Sequence, residues 1–258
     1  MEIILKSIGF LFVVFYFGLG VLLFVMQHNF IYFPSKAVPH GYDEIEFIVQ
    51  GESIKSIRLN PGKPDAIMYF GGNAEAVALN AADFAKHFPA FTIYLINYRG
   101  YGGSSGAPYE AALYADALFI FDQLSGQHAS IAIIGRSLGS GVATYLGAQR
   151  DVAKLVLVTP FDSIQAMAQK SYPLYPMSLL LTDKYLSSAR AKNIKAQVLV
   201  VIAEHDQVVG RAHTKKLIEA FVDNPPTVVI INESDHNNLA GYPGYYQSIA
   251  EFLSFHHD

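Results

Sequence analysis

A mostly parallel, twisted α/β sheet with helices on both faces, behind one apolar N-terminal helix, is the architecture this sequence predicts. Three observations carry that expectation. Residues 91–96, 131–134 and 198–203 are almost continuously apolar and rich in β-branched side chains, the mark of strands buried on both faces. Helix-compatible stretches separate these runs, which favours βα alternation over a succession of hairpins. Ahead of them, residues 7–35 hold no formally charged side chain.

With 258 residues the chain is long enough for one large α/β domain. Hydrophobic residues make up 52% and charged residues 16%, more apolar than an average soluble domain. Much of the excess lies at residues 8–26, which as a helix rise roughly 28 Å, close to the thickness of bilayer hydrocarbon. A removed signal peptide would have a shorter apolar core and a small-residue cleavage site. Gln27-His28-Asn29-Phe30 follows instead, so an uncleaved signal anchor is favoured. A buried core helix is disfavoured, because the segment is apolar all round. Residues 1–33 are therefore expected to be a membrane anchor and residues 34–258 a single domain. The net charge of −4 contains no block of like charges, so neither nucleic acid nor a polybasic membrane patch is implied. The chain has no cysteine, which excludes a thiol nucleophile, a disulfide framework and thiolate metal sites.

After the anchor, Phe33-Pro34-Ser35-Lys36 and Pro39-His40-Gly41 read as a short juxtamembrane connector. Residues 46–50 and 54–59 form an opening hairpin around Gly51-Glu52. A short strand at 66–70 leads to an alanine-rich helix at 74–87, then a strand at 91–96. The glycine-rich turn 99–106 precedes a helix at 110–124. Further strands are expected at 154–159, 198–203 and 227–231, with helices at 211–221 and 245–255. Between 159 and 198 no strand is evident. Tyr172-Pro173-Leu174-Tyr175-Pro176-Met177 is too rich in proline for one regular element, so a small helical insertion over the site is expected at about 161–195.

The most informative short motif is Gly135-Arg136-Ser137-Leu138-Gly139, behind Ile131-Ala132-Ile133-Ile134 and ahead of Val142-Ala143-Thr144-Tyr145-Leu146. This is a nucleophile elbow, a serine on a strained strand-to-helix turn. Its glycines sit where a Cβ would collide with neighbouring backbone. A serine hydroxyl needs a base within hydrogen-bond reach, itself oriented by a carboxylate. Of nine histidines, His28, His40, His87 and His128 precede the serine, and His256 and His257 lie at the C-terminus. His213 falls within a helix and reads as a surface histidine. His236 directly follows the last strand, on the kind of loop that builds sites in open α/β sheets, and is the expected base. For the acid, Asp206 stands just after the strand at 198–203, and one helix and one strand separate it from His236. Asp162, at the end of the strand after the elbow, is the competing acid. Asp235 would have to reach back to its neighbour's ring, and His205 reads as a packing or loop residue. The Leu138 N–H, next to the nucleophile, is one expected oxyanion donor. The second is expected to be the Asn73 N–H, in Phe70-Gly71-Gly72-Asn73-Ala74.

Together, Tyr98-Arg99-Gly100-Tyr101-Gly102, Gly135-Arg136-Ser137-Leu138-Gly139, Asp206-Gln207-Val208-Val209 and Asp235-His236-Asn237-Asn238 resemble the α/β-hydrolase superfamily. The likeness runs from about Phe30 to the C-terminus. It is strongest to the membrane-anchored branch that includes depalmitoylating thioesterases and lysophospholipid or monoglyceride lipases. The resemblance implies the α/β-hydrolase fold, with Ser137, Asp206 and His236 as catalytic residues and Asn73 at the oxyanion hole. Gly71 departs from the pattern, since many members carry histidine there to shape the loop. Arg136 is expected to pair with a carboxylate beneath the site.

The sequence thus points to a single-pass, membrane-anchored serine hydrolase acting on an ester or thioester, with lipids or acylated proteins as plausible substrates. No cofactor and no metal are implied. An acyltransferase using the same acyl-enzyme and a catalytically silent, membrane-tethered binding module are the alternatives. Lys6 and the amino terminus oppose Lys36 alone across the span, which places the domain on the periplasmic or lumenal side. Because no motif residue lies in the span, deletion up to Phe30 is expected to release a soluble, active enzyme.

Overall fold

The computed structural model describes residues 2–254. Helix α1 (Glu2–Ile31) is followed by the hairpin of β1 (Asp43–Val49) and β2 (Glu52–Leu59). Next come β3 (Asp65–Phe70), α2 (Ala81–His87), β4 (Phe91–Ile96), α3 (Glu110–Ser125), β5 (Ser130–Arg136) and α4 (Leu138–Gln149). From β6 (Lys154–Val158) the chain enters three short helices, α5 (Ile164–Ser171), α6 (Met177–Leu180) and α7 (Ser187–Ala191). These occupy the span where an insertion was expected. The chain ends in β7 (Gln197–Ala203), α8 (Arg211–Glu219), β8 (Thr227–Ile231) and α9 (Pro243–Leu253).

The eight strands form one sheet in the order β1-β2-β4-β3-β5-β6-β7-β8. β2 runs antiparallel to both β1 and β4, and every other pairing is parallel. Strand periodicity splits the core in two. Met68, Phe70, Tyr94 and Ile96 join side chains of α3, α4 and α8 on one face. Ile67, Tyr69, Ile93 and Leu95 join α2 and α9 on the other. Burial on both faces is why these strands read as unbroken apolar runs. β8 departs from that pattern: it is an edge strand, and Val228 and Ile230 are exposed.

The alanine-rich helix expected at 74–87 is shorter than its composition suggests. Ala74 has φ 61°, Val77–Asn80 form one 3₁₀ turn, and α2 starts at Ala81. The physical reason is competition for the backbone. The Glu75 carboxylate takes the Gly72 N–H at 2.7 Å, and Asn73 Oδ1 takes the Phe33 N–H at 2.9 Å. Those bonds hold the first residues as a loop. The connector after α1 is likewise more than a spacer, since Ser35 Oγ donates to the Glu75 carbonyl and Gly102 N to the Ser35 carbonyl. The last helix ends at Leu253, so its expected final residue Phe255, with His256 and His257, lies outside the described residues.

Candidate active site

Ser137 occupies the turn between β5 and α4 with φ 49° and ψ −114°, a conformation that costs a non-glycine residue about 1–3 kcal/mol. Packing imposes it. The Ser137 N–H donates to the Val158 carbonyl at 2.9 Å, tying the turn to β6. A Cβ at Gly135 would stand 2.5 Å from that of Ala143, and one at Gly139 would run into the Phe70 carbonyl. Only glycine lets α4 rise so close to β3 and β5, and that closeness lifts the serine to the sheet's carboxyl end.

His236 Nε2 lies 3.0 Å from Ser137 Oγ, and His236 Nδ1 lies 2.9 Å from Asp206 Oδ2. The other oxygen of Asp206 accepts the N–H groups of Val208 and Val209 at 2.9 and 2.8 Å. Those two bonds fix the carboxylate plane and leave Oδ2 for the imidazole. With the proton on Nδ1, the ring donates to Asp206 and Nε2 accepts the serine hydroxyl. The chain order and the loops expected to bring these side chains together are the ones observed. Asp235 instead accepts from Asn237 N and Asn238 N, closing its own turn.

The competing acid lies elsewhere. Asp162 Oδ1 sits 2.7 Å from His213 Nδ1, and both side chains are buried. His213 is thus not the surface residue expected of its helix. α8 turns that face onto the loop after β6, where Thr214 also donates to the Pro160 carbonyl at 2.8 Å. A histidine amid otherwise polar α8 gives no sequence signal of this.

Arg136 has the carboxylate partner expected for it. Its Nη1 donates to Glu75 Oε2 at 2.9 Å and its Nη2 to the His236 carbonyl at 3.0 Å. Burial opposes the guanidinium charge, yet Tyr69, Glu75 and Tyr245 around it hold its pKa above the ordinary value. Glu75 also receives Tyr69 Oη and Asn80 Nδ2, both at 2.5 Å. Sequence reasoning missed Glu75. The signal was available: a lone carboxylate beside Gly71-Gly72-Asn73, in a chain whose elbow arginine lacked a named partner.

Asn73, Leu138 and Ser137 line one cavity of about 350 Å³. A Cβ at Gly72 would lie 3.7 Å from that of Ser137, so the loop after β3 runs beside this serine. The Asn73 side chain is fully engaged away from the serine. Its Oδ1 accepts from Tyr101 Oη at 2.7 Å, and its Nδ2 donates to the Ile31 carbonyl at the end of α1. Burial pushes the Tyr101 hydroxyl up to about 12. The remaining lining was not foreseen: Leu23, Gln27, Phe30 and Ile31 of α1 line the cavity together with Met167 and Leu180 of the insertion. Deleting α1 would therefore remove one side of the pocket, contrary to the expectation that the span is dispensable. Among the described residues, no group of three or more His, Asp or Glu side chains is placed to hold a metal ion.

Residues 65–188 match the model of the alpha/beta hydrolase fold family. The chain is 33% identical over 237 residues to an uncharacterized protein of Mycobacterium tuberculosis, covering 85% of this chain and 84% of that one. It is 28% identical to an uncharacterized membrane protein of Saccharomyces cerevisiae, over 66% of this chain and 63% of that one. A Pyrococcus furiosus esterase superposes with TM-score 0.66 at 16% identity, covering 85% of this chain and 97% of the esterase. The chain belongs to the α/β-hydrolase superfamily.

Proposed function

We propose that the protein is a membrane-anchored serine hydrolase cleaving carboxylic esters or thioesters of lipid-like or acylated substrates. One observation carries the reading: a single imidazole bridges Ser137 Oγ at 3.0 Å and Asp206 Oδ2 at 2.9 Å. His236 takes the serine proton as Ser137 Oγ attacks the carbonyl carbon, and Asp206 stabilises the imidazolium. The Leu138 and Asn73 N–H groups receive the oxyanion, each such donor being worth about 10²–10³ in turnover. The leaving alcohol or thiol departs with the proton from Nε2. Water, deprotonated by the same nitrogen, then releases the acid and restores the serine.

α1 is long and apolar enough to cross a membrane, which supports residues 1–33 as anchor and 34–258 as catalytic domain, with 161–195 as cap. The weak lysine asymmetry supports a periplasmic or lumenal domain. Labelling by a fluorophosphonate probe tests the chemistry: wild-type protein takes the label and Ser137→Ala does not. Equal labelling of both would overturn the assignment.

A further inference from the structure

The apolar helix is not a free tether. Tyr16 stacks on Tyr175 of the cap with ring centroids 4.7 Å apart, its hydroxyl donates to the Leu174 carbonyl at 2.7 Å, and Tyr175 Oη donates to the Tyr16 carbonyl at 3.0 Å. One helical stretch further on, Gln27 accepts the Thr182 N–H at 2.7 Å and donates to the Leu180 carbonyl at 3.3 Å. Leu23 packs with Tyr175 and Met177 between these bonds. A last tie is buried: Tyr32 Oη donates to Asp183 Oδ2 at 2.6 Å. The helix is thus gripped from Tyr16 to its end.

That grip sets the depth of the cap. Before Tyr16, uncharged helix reaches back only to Ser7, since Lys6, paired with Glu2, carries a charge. Residues 7–15 rise roughly 13 Å, less than half of a hydrocarbon layer about 30 Å thick. For α1 to span, residues 16–26 must also lie in hydrocarbon, and the cap residues bonded to them lie at the same level. The outward side chains agree. Leu174 is 73% exposed and Leu179 80% exposed, an apolar surface beside the apolar helix that the described residues leave uncovered.

We propose that cap residues 172–181 are immersed in the bilayer, and that the pocket between α1 and the cap fills with an acyl chain directly from the lipid. The substrate class is then an acyl ester or thioester held in the membrane, not a solute of the aqueous phase. This rests on α1 as a span and on Ser137 as nucleophile, and the two are separable by experiment.

The chain has no tryptophan, so each single tryptophan reports its own position. Full-length Leu179→Trp, Phe12→Trp and Val222→Trp would be reconstituted in phosphatidylcholine vesicles carrying lipids brominated along the acyl chain. Val222 lies before β8, at the end of the sheet opposite the site. Quenching at both 179 and 12 but not at 222 is expected. Quenching at 12 alone would overturn cap immersion while leaving the span intact, and quenching at neither would overturn both. Neither outcome depends on turnover. A second arm uses Leu174→Asp with Leu179→Asp, surface changes outside the pocket. Hydrolysis of a long-chain ester embedded in the vesicles is expected to fall about tenfold, with soluble p-nitrophenyl acetate hydrolysed as before. Equal rates on the embedded ester would overturn entry from the bilayer. Failure on both esters in wild type, with Leu179→Trp quenched, would sink the hydrolase reading alone.

Discussion

Arg136, one residue before Ser137, donates to the backbone carbonyl of His236 at 3.0 Å. Its second nitrogen holds Glu75, whose carboxylate accepts the Gly72 N–H of the loop after β3. One guanidinium therefore ties the His236 backbone to the loop after β3, beside Ser137.

Arg136→Met is accordingly expected to lower kcat by about tenfold to a hundredfold with little change in KM, since misplacement by about 1 Å has effects of that size. It should also destabilise the fold by about 2–4 kcal/mol, because Glu75 would be left charged with only 11% of its side chain exposed. Steady-state kinetics and thermal melts read the two effects. A variant that melts early yet keeps wild-type kcat would remove Arg136 from positioning.

Ser137→Ala and His236→Ala should each reduce turnover by roughly 10⁴- to 10⁶-fold, and the double variant should be scarcely worse than either. The two atoms act on one proton, so the second loss has nothing left to remove. Losses that multiply would contradict the assignment.

The two aspartates should separate by what they damage. Asp206→Asn turns the imidazole toward the wrong tautomer and is expected to cost about 10⁴ in kcat with little loss of stability. Asp162→Asn removes the buried partner of His213 and should lower the melting temperature while sparing kcat. Kinetics with p-nitrophenyl butyrate, alongside melts of both variants, check this. The reverse ranking in kcat would make Asp162 the acid.

The sheet and the Ser137–His236–Asp206 order were legible because each rests on a local signal. Buried strands are short apolar runs, and the elbow needs glycine at fixed offsets from its serine. What escaped was set by contacts between distant segments. Glu75 sits in an alanine-rich stretch that composition assigns to helix, and only Arg136, sixty-one residues on, makes it a clamp. The roles of Leu23, Gln27 and Phe30 were hidden by a similar masking. α1 is apolar all round, so its sequence does not mark which side packs on the insertion. Gln27, a polar residue at the span's end, was the one available clue.

The α1 wall makes its own prediction. Leu23→Ala and Phe30→Ala each remove apolar surface from the cavity while leaving Ser137 untouched. KM for a long-chain ester should rise roughly tenfold per substitution, the size expected for one large apolar contact, and KM for p-nitrophenyl acetate should stay level. Equal changes for both esters would mean that α1 supports the fold and does not touch the chain.

Orientation is the last expectation. Lys6 and the amino terminus precede the span, while Lys36 is the first lysine or arginine after it. Loop asymmetry counts lysine and arginine near the span, and Asp43, Glu44 and Glu46 add little. The small excess before the span is expected to keep the N-terminus inside and to send residues 34–258 across. Docking of α1 on the cap does not alter the count, since Lys184 and Lys192 join the same side as Lys36 but far along the chain from the span. Protease added to intact spheroplasts is therefore expected to digest the domain, leaving a small membrane-held fragment. A domain that survives until the membrane is permeabilised would place the site in the cytoplasm, and the substrate in the inner leaflet.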